Sequence, residues 1–193
     1  MNLLHKIIKK LFKKFFKFKI FVYSEILSNT RIVQGKAIIN QPTLFLGAGQ
    51  ICIAENVSLG YYPSPFFYSG YIHIEARHKD AVIKIGKNTY INNNATIVSD
   101  GAGIHIGKDC LIGAHFTCID SDFHGINADE RLICPKPKAV FIGDNVFIGS
   151  NVSILKGVSI GKNCVVGGGA LVTKSFPDNC VIAGNPARVV KML

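Results

Sequence analysis

The chain has 193 residues, of which 48% are hydrophobic and only 18% charged, and its 19 glycines are spread along its whole length. This length and composition exclude a disordered or low-complexity protein and favour one folded domain. The formal net charge of +10 would suit a nucleic-acid-binding protein, but residues 1–19 hold seven lysines and no acidic residue. The rest carries 15 basic against 12 acidic residues, so the basic charge belongs to one segment and we expect no nucleic-acid partner.

The first predicted element, residues 1–24, is a basic amphipathic helix. At 100° per residue, apolar side chains gather on one side and lysines on the other. The apolar side consists of Leu3, Leu4, Ile7, Ile8, Leu11, Phe12, Phe15 and Phe16, and the basic side of Lys6, Lys9, Lys10, Lys13, Lys14 and Lys17. The lysines recur too often for a bilayer-spanning segment, so we expect residues 1–19 to lie on an anionic membrane surface. The alternative is that the apolar side docks on the protein itself or on a neighbouring subunit.

Cysteine usage bears on the compartment. The six cysteines, which include Cys110 and Cys164, form no C-x-x-C pair, and no small-residue cleavage site follows the basic helix. We therefore expect reduced thiols in a cytoplasmic protein that is peripheral on the inner face of the cell membrane. Cys110 and Cys164 occupy small, inward-facing positions of the repeat described below, where a packing role is expected.

An aromatic segment, "GYYPSPFFYSGYIHIEARHKDAV", interrupts the middle of the chain. Tyrosine and phenylalanine rings stack on sugar rings, which would suit a saccharide site. The alternative is that these aromatic residues form a hydrophobic plug or a contact between subunits.

A six-residue repeat organises the remaining chain. From Ile142 it reads IGDNVF, IGSNVS, ILKGVS, IGKNCV, VGGGAL and VTKSFP, and further copies precede it. Neither a helix nor an alternating strand has a period of six. Three such faces make an eighteen-residue triangular coil, with aliphatic residues stacked inside and glycine or asparagine at corners that require left-handed backbone angles.

The repeats, which cover about residues 46–177, resemble those of the hexapeptide-repeat acyltransferases. The stretch "VVGGGALVTK" followed by "AGNPARVVK" is similar to that of galactoside and maltose O-acetyltransferases. The chain departs from these enzymes in its basic helix and its aromatic segment, and these departures resemble surface-polysaccharide O-acetyltransferases. This resemblance implies an all-β fold, a left-handed parallel β-helix over residues 25–193 with a short C-terminal tail. It also implies acetyl-CoA as co-substrate and a homotrimer with active sites between subunits.

The resemblance assigns roles to residues. The positions that contact coenzyme A correspond to Ser150, Gly168, Thr173, Lys174 and Arg188, and those that bind the sugar acceptor correspond to Asn92 and Asp100. The catalytic histidine corresponds to His124, in an excursion loop near residues 123–140. Imidazole titrates near neutral pH and suits a general base. We expect a carboxylate on its other nitrogen, with Asp120, Asp122, Asp129 and Glu130 as the candidates.

The expected function is acetyl-CoA-dependent O-acetylation of a sugar hydroxyl, in a surface polysaccharide or its lipid-linked precursor. One alternative is N-acetylation of an amino (nucleotide) sugar on the same fold, and another is a non-catalytic membrane-bound scaffold. A third alternative is a zinc protein similar to the β-helical carbonic anhydrases, with ligands drawn from His73, His78, His105 and His115. For the preferred function no metal is expected.

Overall fold

The computed structural model describes residues 3–30 and 32–193, with residues 32–34 described by their backbone alone. Helix α1 (Leu3–Phe21) continues into a π-helical segment (Val22–Leu27), and the first two residues of the predicted helix lie outside the described residues. A 3-10 turn (Ala128–Glu130) lies in the longest loop. The described strands are β1 (Ile32–Gln34), β2 (Ile38–Ile39), β3 (Thr43–Leu46), β4 (Gln50–Ile53), β5 (Ser58–Leu59), β6 (Ile72–Ala76), β7 (Val82–Ile85), β8 (Tyr90–Ile91), β9 (Thr96–Ser99), β10 (Ile104–Ile106), β11 (Leu111–Ile112), β12 (Thr117–Ile119), β13 (Val140–Ile142), β14 (Phe147–Ile148), β15 (Ser153–Ile154), β16 (Ser159–Ile160), β17 (Val165–Val166), β18 (Leu171–Val172), β19 (Cys180–Ala183) and β20 (Arg188–Met192).

Successive strands enter three different sheets in turn. Sheet A has the order β1-β4-β7-β10-β13-β16, sheet B the order β2-β5-β8-β11-β14-β17-β19-β20, and sheet C the order β3-β6-β9-β12-β15-β18. Every described strand pair is parallel except β19 with β20. The chain therefore winds through three sheets per coil, which confirms the parallel, three-sided coil that the six-residue period predicts.

The aliphatic residue of each repeat forms a column inside the coil. In sheet A, Ile85, Ile106, Ile142 and Ile160 stand in register on adjacent strands, and each is at most 3% exposed. Side chains alternate between the two faces of a strand, so each short strand contributes one buried residue to the core and one to the surface. Cys110 and Cys164 are fully buried in this core, as predicted, and burial raises the pKa of the Cys110 thiol.

Asparagines and glycines make the corners. Asn145, Asn163 and Asn179 have φ values of 55°, 58° and 59°, and their side chains form a ladder of hydrogen bonds of 3.0 and 2.9 Å. Asparagine tolerates this left-handed conformation better than most residues, which explains its recurrence. At another corner, a Cβ on Gly149 would lie 2.5 Å from the amide nitrogen of Gly168, so close stacking of coils requires glycine there.

Helix α1 docks on the aromatic segment through one edge of its apolar side. The ring of Phe16, only 8% exposed, lies 5.1 Å from the rings of Phe67 and Tyr68, and Phe12 lies 5.1 Å from Tyr68. Part of the apolar side of the helix therefore packs on the protein itself, whereas the plug interpretation of the aromatic segment stays a prediction, because Tyr68 is 50% exposed. The rest of the apolar side is more than 45% exposed and consists of Leu3, Leu4, Ile7, Ile8, Leu11 and Phe15. Within the described residues, no helix has the length and hydropathy to cross a membrane.

Candidate active site

The loop between β12 and β13 leaves the coil at the end of sheet C and has a strained residue, Phe123, near its start. Phe123 has a φ of 60°, which is uncommon for a bulky side chain and often marks a functional site. The guanidinium of Arg77 lies 4.6 Å from the centre of the Phe123 ring, within cation–π range. Arg77 Nε in turn donates a 2.8 Å hydrogen bond to Glu75. Arg77, which directly follows β6 two coils earlier, therefore contacts the residue before His124.

The ring of His124 is exposed and has one defined partner. Nδ1 lies 2.8 Å from the main-chain carbonyl oxygen of Arg131, across the loop. A carbonyl oxygen only accepts, so Nδ1 carries the proton and Nε2 of the neutral ring keeps its lone pair. The prediction that a carboxylate contacts the second ring nitrogen is wrong, because the loop folds back and places the Arg131 carbonyl oxygen beside Nδ1.

The four candidate carboxylates are engaged elsewhere or exposed. Asp120 is fully buried and accepts hydrogen bonds from the Ser99 hydroxyl at 2.7 Å and the Gly103 amide at 2.8 Å. Asp122 pairs with Lys156 at 2.5 Å. Glu130 accepts from the side chain of Asn127 at 3.0 Å, and Asp129 is exposed. Asp120 therefore braces the end of β9 rather than orienting the histidine.

Asp100 follows β9 and lies beside the same loop. Its carboxylate accepts a 3.0 Å hydrogen bond from the Cys134 thiol and has Arg77 and His78 each at 3.5 Å. The hydrogen bond to Asp100 raises the pKa of the Cys134 thiol. The Arg77 guanidinium holds the pKa of Glu75 below its ordinary value. The structure thus brings Asp100, Arg77 and the His124 loop together at one end of sheet C.

Asn92 lies at the opposite end of β9 from Asp100, at the corner between β8 and β9. Its side-chain amide donates to the Ser64 hydroxyl at 2.9 Å, and its carbonyl accepts from the Asn93 amide at 2.7 Å. A pocket of about 460 Å³ beside it is lined by Tyr61, Tyr90, Leu111 and Phe147, among others. Because β9 separates Asn92 from Asp100, the two expected acceptor residues do not meet within one chain.

The residues expected to bind coenzyme A occupy the last coils. Ser150 and Gly168 lie on adjacent, stacked corners. The Gly169 amide donates a 2.9 Å hydrogen bond to the main-chain carbonyl oxygen of Ser150, and a Cβ on Gly168 would lie 3.2 Å from that oxygen. A Cβ on Gly169 would meet no atom within 4 Å. Unlike the corner at Gly149, this corner opens onto free space, so a thin ligand could approach the backbone here.

The two cations expected to bind coenzyme A lie on different sides of β18. Thr173 and Lys174 follow β18, and the tail packs beside that strand through hydrogen bonds of Leu171 with Gly184 at 3.1 Å and Ala187 at 2.8 Å. Arg188 opens β20, and both Lys174 and Arg188 are exposed. Arg188 pairs with Ala183, next to Gly167 of the open corner, whereas Lys174 stands at the far end of β18 from that corner. Exposed cations on the coils that carry an open glycine corner suit a ligand with a thin arm and a phosphorylated end.

The histidines of the zinc alternative have four separate surroundings. His73 contacts Glu75 at 3.0 Å and His78 contacts Asp100, whereas His105 stacks on Phe141 and His115 packs against Phe66. Burial lowers the pKa of His105. Over the described ranges, no group of three or more potential metal-ligating residues occurs within the chain.

Sequence reasoning missed Glu75, Arg77 and Cys134. His73, Glu75 and Arg77 alternate along β6 and its end, so they share the outward face of sheet C. That alternation was a usable signal, because a line of charged residues on one strand face is unusual within this coil. The contact between Cys134 and Asp100 had no such signal, since it depends on how the loop folds back.

Two family profiles match parts of the chain. The bacterial transferase hexapeptide profile (six repeats) matches residues 139–174, and the hexapeptide repeat of succinyl-transferase matches residues 82–115. The first match includes the open glycine corner at Gly169. The second includes Asn92, with Tyr90 and Leu111 of the pocket beside it.

Curated relatives extend the comparison. A galactoside O-acetyltransferase of Lactococcus lactis is 39% identical over 112 residues, which are 58% of this chain and 53% of that protein. An uncharacterised 24.8 kDa protein from the cps region of Klebsiella pneumoniae is 32% identical over 84% of this chain and 70% of its own length. The match thus spans about half the length of the galactoside enzyme and most of the Klebsiella protein.

Solved structures agree with these matches. Galactoside acetyltransferase in complex with coenzyme A is 32% identical, with a TM-score of 0.58 over 78% of this chain and 65% of that one. The polysialic acid O-acetyltransferase OatWY is 29% identical, with a TM-score of 0.55 over 82% of this chain and 86% of that one. With its three-sided parallel coil, its repeats and these relatives, the chain belongs to the hexapeptide-repeat transferases.

Proposed function

We propose that this protein is an acetyltransferase that moves the acetyl group of acetyl-CoA to a sugar hydroxyl, with His124 as general base. The carrying observation is the 2.8 Å contact of His124 Nδ1 with the Arg131 carbonyl. It leaves Nε2 as a proton acceptor on an exposed ring. The hydroxyl oxygen bonds to the thioester carbonyl carbon, its proton passes to Nε2, and the C–S bond breaks as the thiolate takes up that proton.

Coenzyme A binding is supported by the open corner at Gly168 and Gly169 and by the exposed cations Lys174 and Arg188. The pantetheine arm would follow the corner, and the phosphates would meet the cations. Galactoside acetyltransferase, which this chain matches at 32% identity, forms a complex with coenzyme A. Ser150 and Thr173 would offer hydrogen bonds along the same path.

The acceptor is proposed to be a saccharide of a surface polysaccharide or of its lipid-linked precursor. The similarity to a polysialic acid O-acetyltransferase and to a cps-region protein supports this class. Asp100 would bind acceptor hydroxyls beside His124, and Asn92 would bind them from a neighbouring subunit, because β9 separates the two within one chain. We therefore propose a homotrimer of left-handed coils.

The N-terminal helix is proposed to lie on an anionic membrane surface. Docking of Phe12 and Phe16 on the body leaves the apolar stripe of Leu4, Ile8, Leu11 and Phe15 exposed beside the lysines. A surface that combines an apolar stripe with lysines suits the boundary between lipid headgroups and acyl chains. The protein would then work as a peripheral membrane enzyme on the cytoplasmic side.

The test is thiol release from acetyl-CoA by the purified protein across a panel of neutral, acidic and amino saccharides. We expect saccharide-dependent release that falls about 10²–10⁴-fold in His124→Gln, because the general base is lost. His105→Gln is the matched control, since His105 lies on sheet A and should leave the rate within about twofold.

Each outcome of this assay has a meaning. Equal rates in His124→Gln and the parent would exclude His124 as the base. A product acetylated on nitrogen, identified by mass spectrometry and resistance to mild alkali, would favour the amino-sugar alternative. Absence of coenzyme A binding by calorimetry would overturn the acetyltransferase proposal as a whole.

A further inference from the structure

A groove runs between helix α1 and the body of the protein. Its floor consists of aromatic rings from both sides, namely Phe12, Phe16, Tyr62, Phe67 and Tyr68. The groove has a volume of about 480 Å³, which is within the range of sites that hold one small ligand. We call it the α1 groove.

Lysines form one rim of the α1 groove. Lys9, Lys13 and Lys17 line it, and their spacing of four residues places them along one side of the helix. All three are exposed, and none of the described residues that line the groove is acidic. An apolar floor beside a row of uncompensated cations is complementary to a ligand with a hydrocarbon part and an anionic part.

The floor of the groove is only partly covered by protein. Tyr62 is 60%, Tyr68 50% and Phe12 44% exposed, although each contacts another ring of the floor. Rings held in this way keep apolar surface open to a ligand that can cover it. Phe16, at 8% exposure, anchors the helix, so the groove exists without a ligand.

The aromatic segment connects this groove to a candidate acceptor residue. Tyr62 lines the α1 groove, whereas the adjacent Tyr61 lines the pocket of Asn92. The Ser64 hydroxyl of the same loop accepts the hydrogen bond from the Asn92 side chain at 2.9 Å. One short loop therefore has the groove on one side and the expected sugar site on the other.

We propose that the α1 groove binds the lipid end of the acceptor, a phosphate or diphosphate carried on a single hydrocarbon chain. The chain lies along the aromatic floor, the phosphate lies beside Lys9, Lys13 and Lys17, and the attached sugar extends past the 61–70 loop toward Asn92. This inference rests on the proposed function for the identity of the sugar. Binding of the chain and the phosphate is measured without turnover.

The experiment is a calorimetric titration of the full chain with farnesyl phosphate below its micellar concentration. Farnesol supplies the chain alone, inorganic phosphate the charge alone, and dihexanoyl phosphatidylglycerol a two-chain phospholipid. We expect farnesyl phosphate to bind at least about tenfold more tightly than each of the other three probes, because only it matches both parts of the groove.

Two triple variants separate the groove from general electrostatic attraction. Lys9→Gln, Lys13→Gln and Lys17→Gln together remove the rim, and Lys6→Gln, Lys10→Gln and Lys14→Gln together remove the same charge from lysines that do not line the groove. We expect the rim variant to weaken farnesyl phosphate binding about tenfold or more and the control to change it less than about threefold.

Several results would overturn the proposal. Equal losses in the two triple variants would mean that only net charge matters. Binding of phosphatidylglycerol as tight as that of farnesyl phosphate would assign the groove to bilayer lipid, and no binding of any probe would leave it a packing gap. Acetyl transfer with free saccharides is independent of these titrations, so failure of the proposed function is recognised separately.

Discussion

The carboxylate of Asp120 is fully buried at the base of the His124 loop and is surrounded by donors. It accepts hydrogen bonds from the Ser99 hydroxyl and from the amides of Asp100 and Gly103, at 2.7, 2.6 and 2.8 Å. These bonds fix the turn that carries Asp100, which we place in the acceptor site. Asp120 thus holds in place a residue that we propose to bind the acceptor.

Asp120→Asn is expected to lower the free energy of unfolding by about 1–3 kcal/mol, because an amide group would face donors in a buried site. Asp109→Asn is the control, since Asp109 is exposed at a left-handed corner where asparagine stands in other coils. Chemical denaturation should show a change below about 0.5 kcal/mol for the control. Equal stabilities of the two variants would mean that the turn does not depend on the carboxylate.

At the scale of elements, the coil was predictable and the attachments to it were not. The six-residue period specified three short strands per coil, the buried column and the corners, because each repeat is stabilised by the same neighbours above and below. The partner of His124 was not predictable, since a backbone carbonyl has no sequence identity. The contact between Arg77 and Phe123 was not predictable either, because the two residues are 46 positions apart in sequence and lie two coils apart.

For helix α1, too, the sequence predicted the element but not its contacts with the body of the protein. Its sequence defined an apolar side, but only contact with Phe67 and Tyr68 divides that side into a docked edge and an exposed stripe. Ile8→Asn should weaken binding to vesicles with anionic lipids about fivefold to tenfold, because half an isoleucine side chain moving into lipid is worth on the order of 1 kcal/mol.

Phe141→Asn is the control for this change. Ile8 is 55% and Phe141 is 48% exposed, but Phe141 lies on sheet A, whereas Ile8 lies on helix α1. Vesicle sedimentation at several ionic strengths should separate the two variants. The membrane proposal is wrong if both bind like the parent chain or if the parent does not sediment with anionic vesicles.

At the scale of the whole molecule, sheet B presents an outward column of apolar side chains. Tyr90, Leu111 and Phe147 stand in register on adjacent strands and are 49%, 53% and 51% exposed. An exposed column of this kind beside the Asn92 pocket is typical of an interface between copies of a chain. It would bring Asn92 of one protomer toward the Asp100 and His124 of another, which one chain alone does not achieve.

Phe147→Glu should therefore convert the expected trimer into monomers in multi-angle light scattering and abolish acetyl transfer, because a buried, unpaired carboxylate is costly at an interface. Phe141→Glu is the matched control, since Phe141 is 48% exposed on sheet A. It should keep the trimer and most of the activity. A parent chain that is monomeric and active would refute the shared site, and dissociation by Phe141→Glu alone would move the interface to sheet A.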